Sequence, residues 1–450
     1  MSDVLKSIKA TKEKINSYSK SFCLAKWQHA NLYLHLGETH SCHHPPPHAI
    51  KLSDIKENPS GIHNTSFKLK ERDEMLTGIR PEGCQYCWNV EDLGSEYISD
   101  RHLRNNAIST EKRWSEIQSK GSAPRINPEY VEVSFSNECN FMCGYCRPQS
   151  SSRFYNEIQK FGSYPGVEKG DFGIQNIKIF PEDQNPFLNA WWEWWPELKK
   201  NLNYIRITGG EPLMHKSTWK FLELLRTDPQ PRLHLSINSN LGIPAAWVTR
   251  LINEVKVLKE MKAVSDFSLF TSIDTWGERA EYLRTGLDLK IWQGNVKTYL
   301  ESKLGPVNLM ITMNVLSISS FKDLLEKILD WRRAYPNMIM FDTAYLRDPI
   351  HYDFNILPKE EFVPYLEQSL QFMSGRFSDV ELEKLKRVKG YMQLTHYPPE
   401  KLRRARIDFY HWFTEYDKRR NVNFLQTFPD YHDFFNLCKN EALDLRGLEL

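Results

Sequence analysis

No part of the sequence stays apolar over the roughly 20 residues that a membrane-spanning helix needs, which predicts a protein without a membrane segment. The N-terminus, residues 1–20, is polar and lysine-rich and lacks the apolar core of a secretory signal peptide. We therefore expect a cytoplasmic protein.

A strong charge of one sign is also missing, because the formal net charge of the 450 residues is only +2 at pH 7. Such a balance creates no global field that would attract nucleic acid or an anionic membrane surface. We do not expect a nucleic acid as partner, although the sequence leaves modification of one open.

Cysteines are scarce and unevenly placed. Seven of the eight lie in the first third of the chain. Without an export signal, such clustering favours metal ligation over disulfide bonds. The eighth, Cys438, stands alone in a segment with a helical pattern, where we expect a buried free thiol.

Beyond residue 128 the sequence alternates between strand and helix patterns. Val131, Val133 and Phe135 alternate with polar residues, which is typical of a half-buried strand. Further strands are predicted at 204–208, 232–238, 266–273, 308–315 and 338–344. Six strands separated by helices predict a parallel sheet with right-handed crossovers. We expect an α/β fold, namely a partial (β/α)6 barrel of the TIM type.

Three domains are predicted along the chain. Residues 1–118 form an N-terminal helix and a cysteine-rich module, residues 128–348 form the barrel, and residues 349–450 form a helical C-terminal extension. The stretch 119–128 contains glycine and proline and is predicted to be a linker. The tryptophan-rich block 191–195 is expected to serve packing rather than ligand binding.

The first cysteine group has the spacing C-x3-C-x2-C and directly follows a predicted strand. Cys139, Cys143 and Cys146 can wrap three thiolates around one iron–sulfur cluster. Three protein ligands on a four-iron cluster leave one iron open for a substrate or cosubstrate. The alternative is a structural zinc loop, although zinc sites favour paired C-x2-C units.

This segment resembles the signature of the radical S-adenosylmethionine (SAM) superfamily. The resemblance implies a 4Fe–4S cluster whose open iron binds SAM, and an enzyme that cleaves SAM after one-electron reduction. The 5′-deoxyadenosyl radical that results would abstract hydrogen from a substrate. An electron donor such as flavodoxin or ferredoxin is implied as a partner.

Other positions carry the same resemblance. The run Thr208-Gly209-Gly210-Glu211-Pro212 follows the second strand and resembles the GGEP motif of the superfamily. Polar residues at later strand ends resemble its SAM contacts, with a satisfied polar residue as the alternative for each. The residues expected to contact SAM are Tyr145, Gly209, Gly210, Glu211, Pro212, Asn238, Ser272, Asp274 and Arg284.

A second cysteine group lies in the N-terminal module. The interval from Cys23 to Cys42 reads C-x13-G-x4-C, and Cys84 and Cys87 form a C-x2-C pair. Four thiolates satisfy either a four-iron cluster or an all-thiolate zinc site. The histidines around Cys42 could compete as ligands, but we expect them to be exposed loop residues; they are His40, His43 and His44.

The C-x13-G-x4-C interval resembles half of the motif of SPASM and twitch domains, which carry auxiliary 4Fe–4S clusters. The whole order resembles twitch domain-containing radical SAM proteins over about residues 21–435. Two 4Fe–4S clusters and SAM are therefore the implied cofactors. A peptide is the first candidate substrate by analogy. Modification of a sugar, an aminocyclitol or a nucleic acid is the alternative activity. A zinc-binding protein without catalytic activity is the alternative to an enzyme.

Overall fold

The computed structural model describes residues 3–92, 94–95, 98–107, 110–119, 125–165 and 178–446. The strands are β1 (His29–Tyr33), β2 (Glu38–His40), β3 (His48–Ala49), β4 (Tyr130–Ser134), β5 (Met142–Cys143), β6 (Tyr204–Thr208), β7 (His234–Asn238), β8 (Asp266–Ser272), β9 (Arg284–Thr285), β10 (Val307–Met313) and β11 (Ile339–Tyr345). The helices are α1 (Asp3–Tyr18), α2 (Ala25–Gln28), α3 (Leu52–Lys56), α4 (Ser66–Leu76), α5 (Gln85–Glu91), α6 (Asp100–Ala107), α7 (Thr110–Ser119), α8 (Ser152–Phe161), α9 (Pro186–Leu198), α10 (Lys216–Thr227), α11 (Ala245–Glu260), α12 (Glu278–Leu283), α13 (Leu289–Glu301), α14 (Phe321–Ala334), α15 (Lys359–Met373), α16 (Asp379–Leu394), α17 (Pro399–Arg420), α18 (Phe424–Thr427) and α19 (His432–Arg446).

Two compact units divide the chain. The first unit comprises Met1–Ser136, Lys178–Ser236 and Lys262–Asp266, and the second unit comprises Asn137–Ile177, Ile237–Met261 and Phe267–Leu450. Since the units interleave along the sequence, the three consecutive domains remain a prediction. Within the predicted linker, residues 120–124 lie outside the described residues.

The first unit is built on five neighbouring strands in the order β6-β4-β1-β2-β3. Strand β4 is parallel to both β6 and β1, and β1–β2 and β2–β3 are antiparallel. The sequence predicts β4 and β6 because apolar residues alternate in both. It misses β1, because two of its buried residues are polar. His29 and Asn31 satisfy each other by a 3.1 Å hydrogen bond between the imidazole and the amide oxygen.

Aromatic residues fill much of the first unit. Trp27, Trp88 and Phe22 belong to an apolar cluster that also includes the thiol of Cys87. In α9, Trp191, Trp194 and Trp195 are buried, which confirms the expected packing role of this block.

The second unit contains the parallel strands β8, β10 and β11, with Leu309 of β10 opposite Phe341 of β11. A separate two-stranded antiparallel pair joins β5 and β9. Strand β7 crosses the boundary, since His234–Ser236 fall in the first unit and the last two residues in the second.

Helices α15 to α19 end the described chain. A capping box between Ser378 and Glu381 starts α16, and Asn421 ends α17 in the left-handed conformation with φ 53°. Cys438 in α19 is a fully buried free thiol, as predicted. These elements confirm the α/β class with mostly parallel pairing and a helical C-terminal region. The barrel form and the auxiliary-cluster module stay predictions.

None of the helices in the described ranges is long and apolar enough to span a membrane.

Candidate functional site

The segment that carries Cys139, Cys143 and Cys146 is a short loop fixed by backbone hydrogen bonds. Cys143 in β5 lies opposite Arg284 of β9, and the Cys146 N–H donates to the Cys143 carbonyl at 3.0 Å. Glycine is needed at position 144, because a β-carbon there would lie 2.1 Å from the Tyr352 hydroxyl. The three thiols therefore belong to one tightly constrained turn.

Cys139 begins this cysteine loop and receives several polar contacts. Its backbone N–H donates to the Ser152 hydroxyl at 3.1 Å, and the Phe141 N–H donates to its sulfur at 3.4 Å. The side-chain amide of Asn240 donates to the Asn140 oxygen at 2.8 Å and lies 3.9 Å from the same sulfur. N–H groups directed at sulfur stabilise the thiolate, which is the metal-ligating form.

Cys143 is approached by a buried arginine. Arg284 makes a bidentate pair with Asp274, with nitrogen–oxygen distances of 2.9 and 3.0 Å. It also donates to the Tyr145 hydroxyl at 2.5 Å and lies 3.8 Å from the Cys143 sulfur. The Tyr145 hydroxyl donates in turn to Asp274 at 2.7 Å, and the Thr312 N–H donates to that carboxylate at 2.9 Å. Three of the predicted SAM contacts are thus brought together beside a predicted cluster ligand.

Burial controls the protonation of the loop thiols. It raises the pKa of Cys143, although the Arg284 charge acts in the opposite direction. Burial together with the neighbouring Cys143 raises the pKa of Cys146 to about 12. Both thiols are therefore neutral near pH 7 until a cation such as a metal centre stabilises their anions.

The cysteine loop is also held from α17. Arg420 donates to the Met142 carbonyl at 2.5 Å and to the Thr285 hydroxyl at 2.9 Å. It forms a bidentate pair with Glu157 at 3.0 Å for both bonds, and its guanidinium lies 3.9 Å from the Tyr416 ring centroid. The last turn of α17 therefore fixes both strands of the β5–β9 pair.

The GGEP run forms a tight turn after β6 in the first unit. Gly209 has φ +120°, and a β-carbon there would lie 2.6 Å from the Ser136 carbonyl oxygen. The Gly210 N–H donates to the same carbonyl at 3.2 Å. Glu211 is fully buried and caps the short 3-10 helix that begins at Pro212. Only glycine fits the first position without strain.

Two further predicted SAM contacts end strands. Asn238 is the last residue of β7 and Ser272 the last residue of β8, and both are half-buried. Their predicted role as SAM contacts stays a prediction.

The four N-terminal cysteines surround one cavity in the first unit. Cys23, Cys42, Cys84 and Cys87 all line a cavity of about 30 Å³. These thiols come from three separate points of the module: Cys23 precedes α2, Cys42 follows β2, and the pair of Cys84 and Cys87 lies at the start of α5. The fold therefore brings to one cavity the four cysteines that the sequence grouped by their spacing.

Cys42 has an unusual backbone. It is in the left-handed region with φ 66°, which costs a residue other than glycine about 1–2 kcal/mol. The side-chain amide of Asn31 donates to its carbonyl at 2.7 Å and supports this conformation. Such outliers concentrate at functional sites.

The expectation of exposed histidines beside Cys42 is wrong for His40. This residue is buried, because its ring meets the Asn31 amide and the Tyr33 hydroxyl at 3.3 Å each. His44 lines the cysteine cavity and pairs with Asp100. It stacks on Tyr86 at 3.7 Å between ring centroids.

Burial raises the pKa of all four cavity thiols. For Cys84 the value rises to about 11, and mutual repulsion adds to the effect of burial for Cys23 and Cys87. In the part of the chain that the structure describes, no group of three or more Cys, His, Asp or Glu side chains is placed to hold a metal ion. The four thiols nevertheless line one cavity, and an all-sulfur donor set is chemically suited to an iron–sulfur cluster. The second cluster stays a prediction.

Comparison with known families decides the class of the segment that carries the cysteine loop. Residues 133–328 match the profile of the radical SAM superfamily.

The chain carries a radical SAM domain.

The domain begins within β4, ends within α14, and includes the cysteine loop, the GGEP turn and Arg284. A radical SAM domain implies an enzyme, one 4Fe–4S cluster and SAM as cosubstrate.

Curated relatives of the radical SAM domain include GTP 3′,8-cyclases. The protein of Nautilia profundicola is 26% identical over 52% of this chain and 67% of its own length. That of Helicobacter pylori strain HPAG1 is 26% identical over 36% of this chain and 46% of its own length. The match to the second of these relatives therefore spans less than half of that protein.

Solved structures also align with the chain. Streptococcus suis SuiB bound to S-adenosylmethionine aligns with TM-score 0.38 and 13% identity, over 78% of this chain and 70% of SuiB. HydG, a maturase of the [FeFe]-hydrogenase, aligns with TM-score 0.30 and 10% identity, over 89% and 98%.

Sequence reasoning did not single out Asn240 or Arg420, which both contact the cysteine loop. Asn240 follows Asn238 by two residues, so the polar run at the end of β7 carried a signal for it. Arg420 lies outside the radical SAM domain, and no local motif points to it.

Proposed function

We propose that this enzyme reductively cleaves SAM and removes a hydrogen atom from a substrate. The observation that carries the proposal is the cysteine loop, in which Asn240 and Arg284 approach two of the three thiols inside the radical SAM domain. Cys139, Cys143 and Cys146 would hold the four-iron cluster. When bound, this cluster supplies the electron that breaks the sulfonium bond of SAM.

The chain's own residues have two kinds of role in this proposal. Arg284, fixed by Asp274 and Tyr145, places positive charge beside Cys143 and so favours a thiolate ligand. Gly209 has no side chain and is exposed, so SAM can approach the backbone of the GGEP turn closely. Buried Glu211 is the carboxylate suited to a cationic amino group. Asn238 and Ser272 are proposed as further SAM contacts.

A second 4Fe–4S cluster is proposed for Cys23, Cys42, Cys84 and Cys87. Support comes from the shared cavity and from the left-handed backbone of Cys42. A single zinc ion is the alternative. The same four thiolates would hold it, since structural zinc sites are commonly built from four cysteines.

The substrate has two candidates that different observations favour. A peptide follows from the twitch-like order of the cysteine module and the radical SAM domain. A nucleoside triphosphate follows from the GTP 3′,8-cyclase relatives. Formation of 5′-deoxyadenosine with SAM alone, with added GTP and with a synthetic peptide library would separate them, because the true substrate should accelerate turnover.

SAM cleavage itself is tested after anaerobic reconstitution with iron and sulfide. Dithionite and SAM should yield 5′-deoxyadenosine, and Cys143→Ala should abolish the product by removing a cluster ligand. Cys438→Ala is the matched control, since it removes a buried thiol elsewhere and should keep the product. A fully iron-loaded protein that gives no product would overturn the proposal. Reduced flavodoxin or ferredoxin in place of dithionite tests the proposed donors.

Metal analysis tests the second cluster. Two four-iron clusters predict about eight iron per chain, and Cys84→Ala should lower this to about four. One zinc and about four iron per chain would show that the N-terminal cysteines hold a zinc ion and not a second cluster. The free cysteines suit a reducing compartment, so we propose the cytoplasm as the location.

A further inference from the structure

A buried lysine lies at the wall of the four-cysteine cavity. Lys26 belongs to α2, which begins two residues after Cys23, and the backbone N–H of Lys26 donates to the Cys23 carbonyl at 3.0 Å. Its side chain is only 3% exposed and lines the cavity together with the four cysteines. One turn of backbone therefore sets the position of this ammonium relative to a proposed cluster ligand.

Glu71 of α4 anchors the ammonium. The Lys26 Nζ donates to Glu71 Oε2 at 2.8 Å, in a pair buried on both sides. The other carboxylate oxygen of Glu71 would lie 2.9 Å from a β-carbon at position 83, so the pair packs against the residue that precedes Cys84. A buried charge persists only when it is paired and hydrogen-bonded, which explains why Lys26 keeps its charge here.

The ammonium shares a cavity wall with the Cys84 thiol. Lys26 and Cys84 both line the four-cysteine cavity, while the Lys26 ammonium is held by the Glu71 carboxylate. A positive charge is therefore fixed at the wall of the space that the proposed cluster would fill.

The charged side chains that line the cavity are basic, and two of them pair with carboxylates outside the lining, Lys26 with Glu71 and Arg101 with Glu91. Besides Lys26, its lining contains Arg101 and Arg104, and the lining residues include no carboxylate. Asn105 adds an amide N–H at 3.4 Å from the Cys23 sulfur. Cations and N–H donors close to cluster sulfurs stabilise added negative charge, and such contacts tune the reduction potential.

We propose that the buried charge of Lys26, at the wall of the four-cysteine cavity, raises the reduction potential of the auxiliary cluster. The inference rests on the second cluster proposed above. One-electron reduction adds a negative charge to a centre that already carries four thiolates. A fixed ammonium in a buried site stabilises the reduced form more than the oxidised form, so its removal should make reduction harder.

The test is a potentiometric titration of the full chain, followed by electron paramagnetic resonance. Cys143→Ala serves as the background, so that the auxiliary cluster is observed alone. At a fixed potential, Lys26→Met should lower the ratio of reduced to oxidised cluster at least tenfold, which is 59 mV for one electron. Lys26→Arg should restore most of the ratio, and Lys20→Met, at an exposed position, should leave it unchanged.

Glu71→Gln supplies a change of the opposite sign. Without its carboxylate partner, the ammonium should favour the reduced cluster more strongly and raise the ratio, a pattern that general loosening of the site does not produce. A Lys26→Met ratio within about threefold of the background would overturn the proposal. If that variant fails to load iron, Glu71→Gln decides, since an unchanged ratio also overturns it. About four iron per wild-type chain would instead refute the second cluster itself.

Discussion

Replacing Arg420 with methionine should loosen the cysteine loop without touching a cysteine. The substitution removes two bonds to Glu157 and the bonds to the Met142 carbonyl and the Thr285 hydroxyl. Arg420 is 1% exposed and Glu157 5% exposed, so the carboxylate would stay buried without its partner. Removing one member of a buried ion pair costs about 3–5 kcal/mol. Since about 1.4 kcal/mol changes an equilibrium constant tenfold, the equilibrium constant for local opening of the loop should rise roughly 100- to 4,000-fold.

Hydrogen–deuterium exchange of the metal-free protein measures this opening. Two amides report on the loop, because Gly144 donates to the Leu283 carbonyl at 2.9 Å and Cys146 donates to Cys143. Their protection should fall by at least a hundredfold in Arg420→Met. Lys418→Met, on the same helix with a side chain 80% exposed, should change nothing.

A double variant distinguishes the ion pair from simple packing. Arg420→Met combined with Glu157→Leu removes both charges and should recover part of the protection, because no buried carboxylate is left alone. Loop exchange that rises less than tenfold in the single variant would refute the reasoning. So would an equal rise in every helix of the second unit, since that result would show global rather than local destabilisation.

Three further outcomes are expected. Gly209→Ala should lower the melting temperature by several degrees, because its φ of +120° and the Ser136 carbonyl at 2.6 Å resist a β-carbon, whereas Gly294→Ala in α13 meets no atom within 4 Å and should be neutral or stabilising in the same thermal scan. Asp274→Asn should destabilise the second unit by leaving the buried guanidinium of Arg284 without its anion, and thermal denaturation with less than about 1 kcal/mol of change would contradict this role. Burial alone would raise the pKa of Glu381, but Arg332 and the Ser378 cap lower it below its ordinary value. The carboxylate therefore stabilises the fold above the unfolded pKa of about 4.3, and this stability is lost as the pH falls through the lower folded pKa. In urea titrations the difference in unfolding free energy between wild type and Glu381→Gln should close between about pH 5 and about pH 3, and a pH-independent difference would contradict the assignment.

Most of the strands after residue 128 were predictable because buried and more exposed residues alternate along them. Predicted strand 204–208 coincides with β6, and 266–273 differs from β8 by one residue. Strand β1 was not predicted, because its buried positions include the polar residues His29 and Asn31, which hydrogen-bond to each other. A local periodicity carries no information about which buried polar groups will find partners.

The cysteine spacing located the candidate sites but not the groups that hold them. Arg420 lies 278 positions from the Met142 carbonyl that it contacts, so no local motif connects them. Lys26 and Glu71 are similarly separated by 45 positions. Tyr145, Asp274 and Arg284 were predicted as SAM contacts, and the structure adds that they bond to one another. A sequence motif identifies the residues that carry the chemistry, whereas the residues that hold them in place come from distant parts of the chain.

The parallel pairing of β1 with β4 has a practical consequence for anyone who shortens this protein. A chain cut at residue 128 would keep β4 but lose the five-residue ladder from His29 to Tyr33 that covers one side of it. Unpaired backbone groups along such a rim invite association with other chains. The N-terminal region is therefore needed for solubility of the enzyme as well as for its extra thiols, and trimmed versions should precipitate rather than report on catalysis.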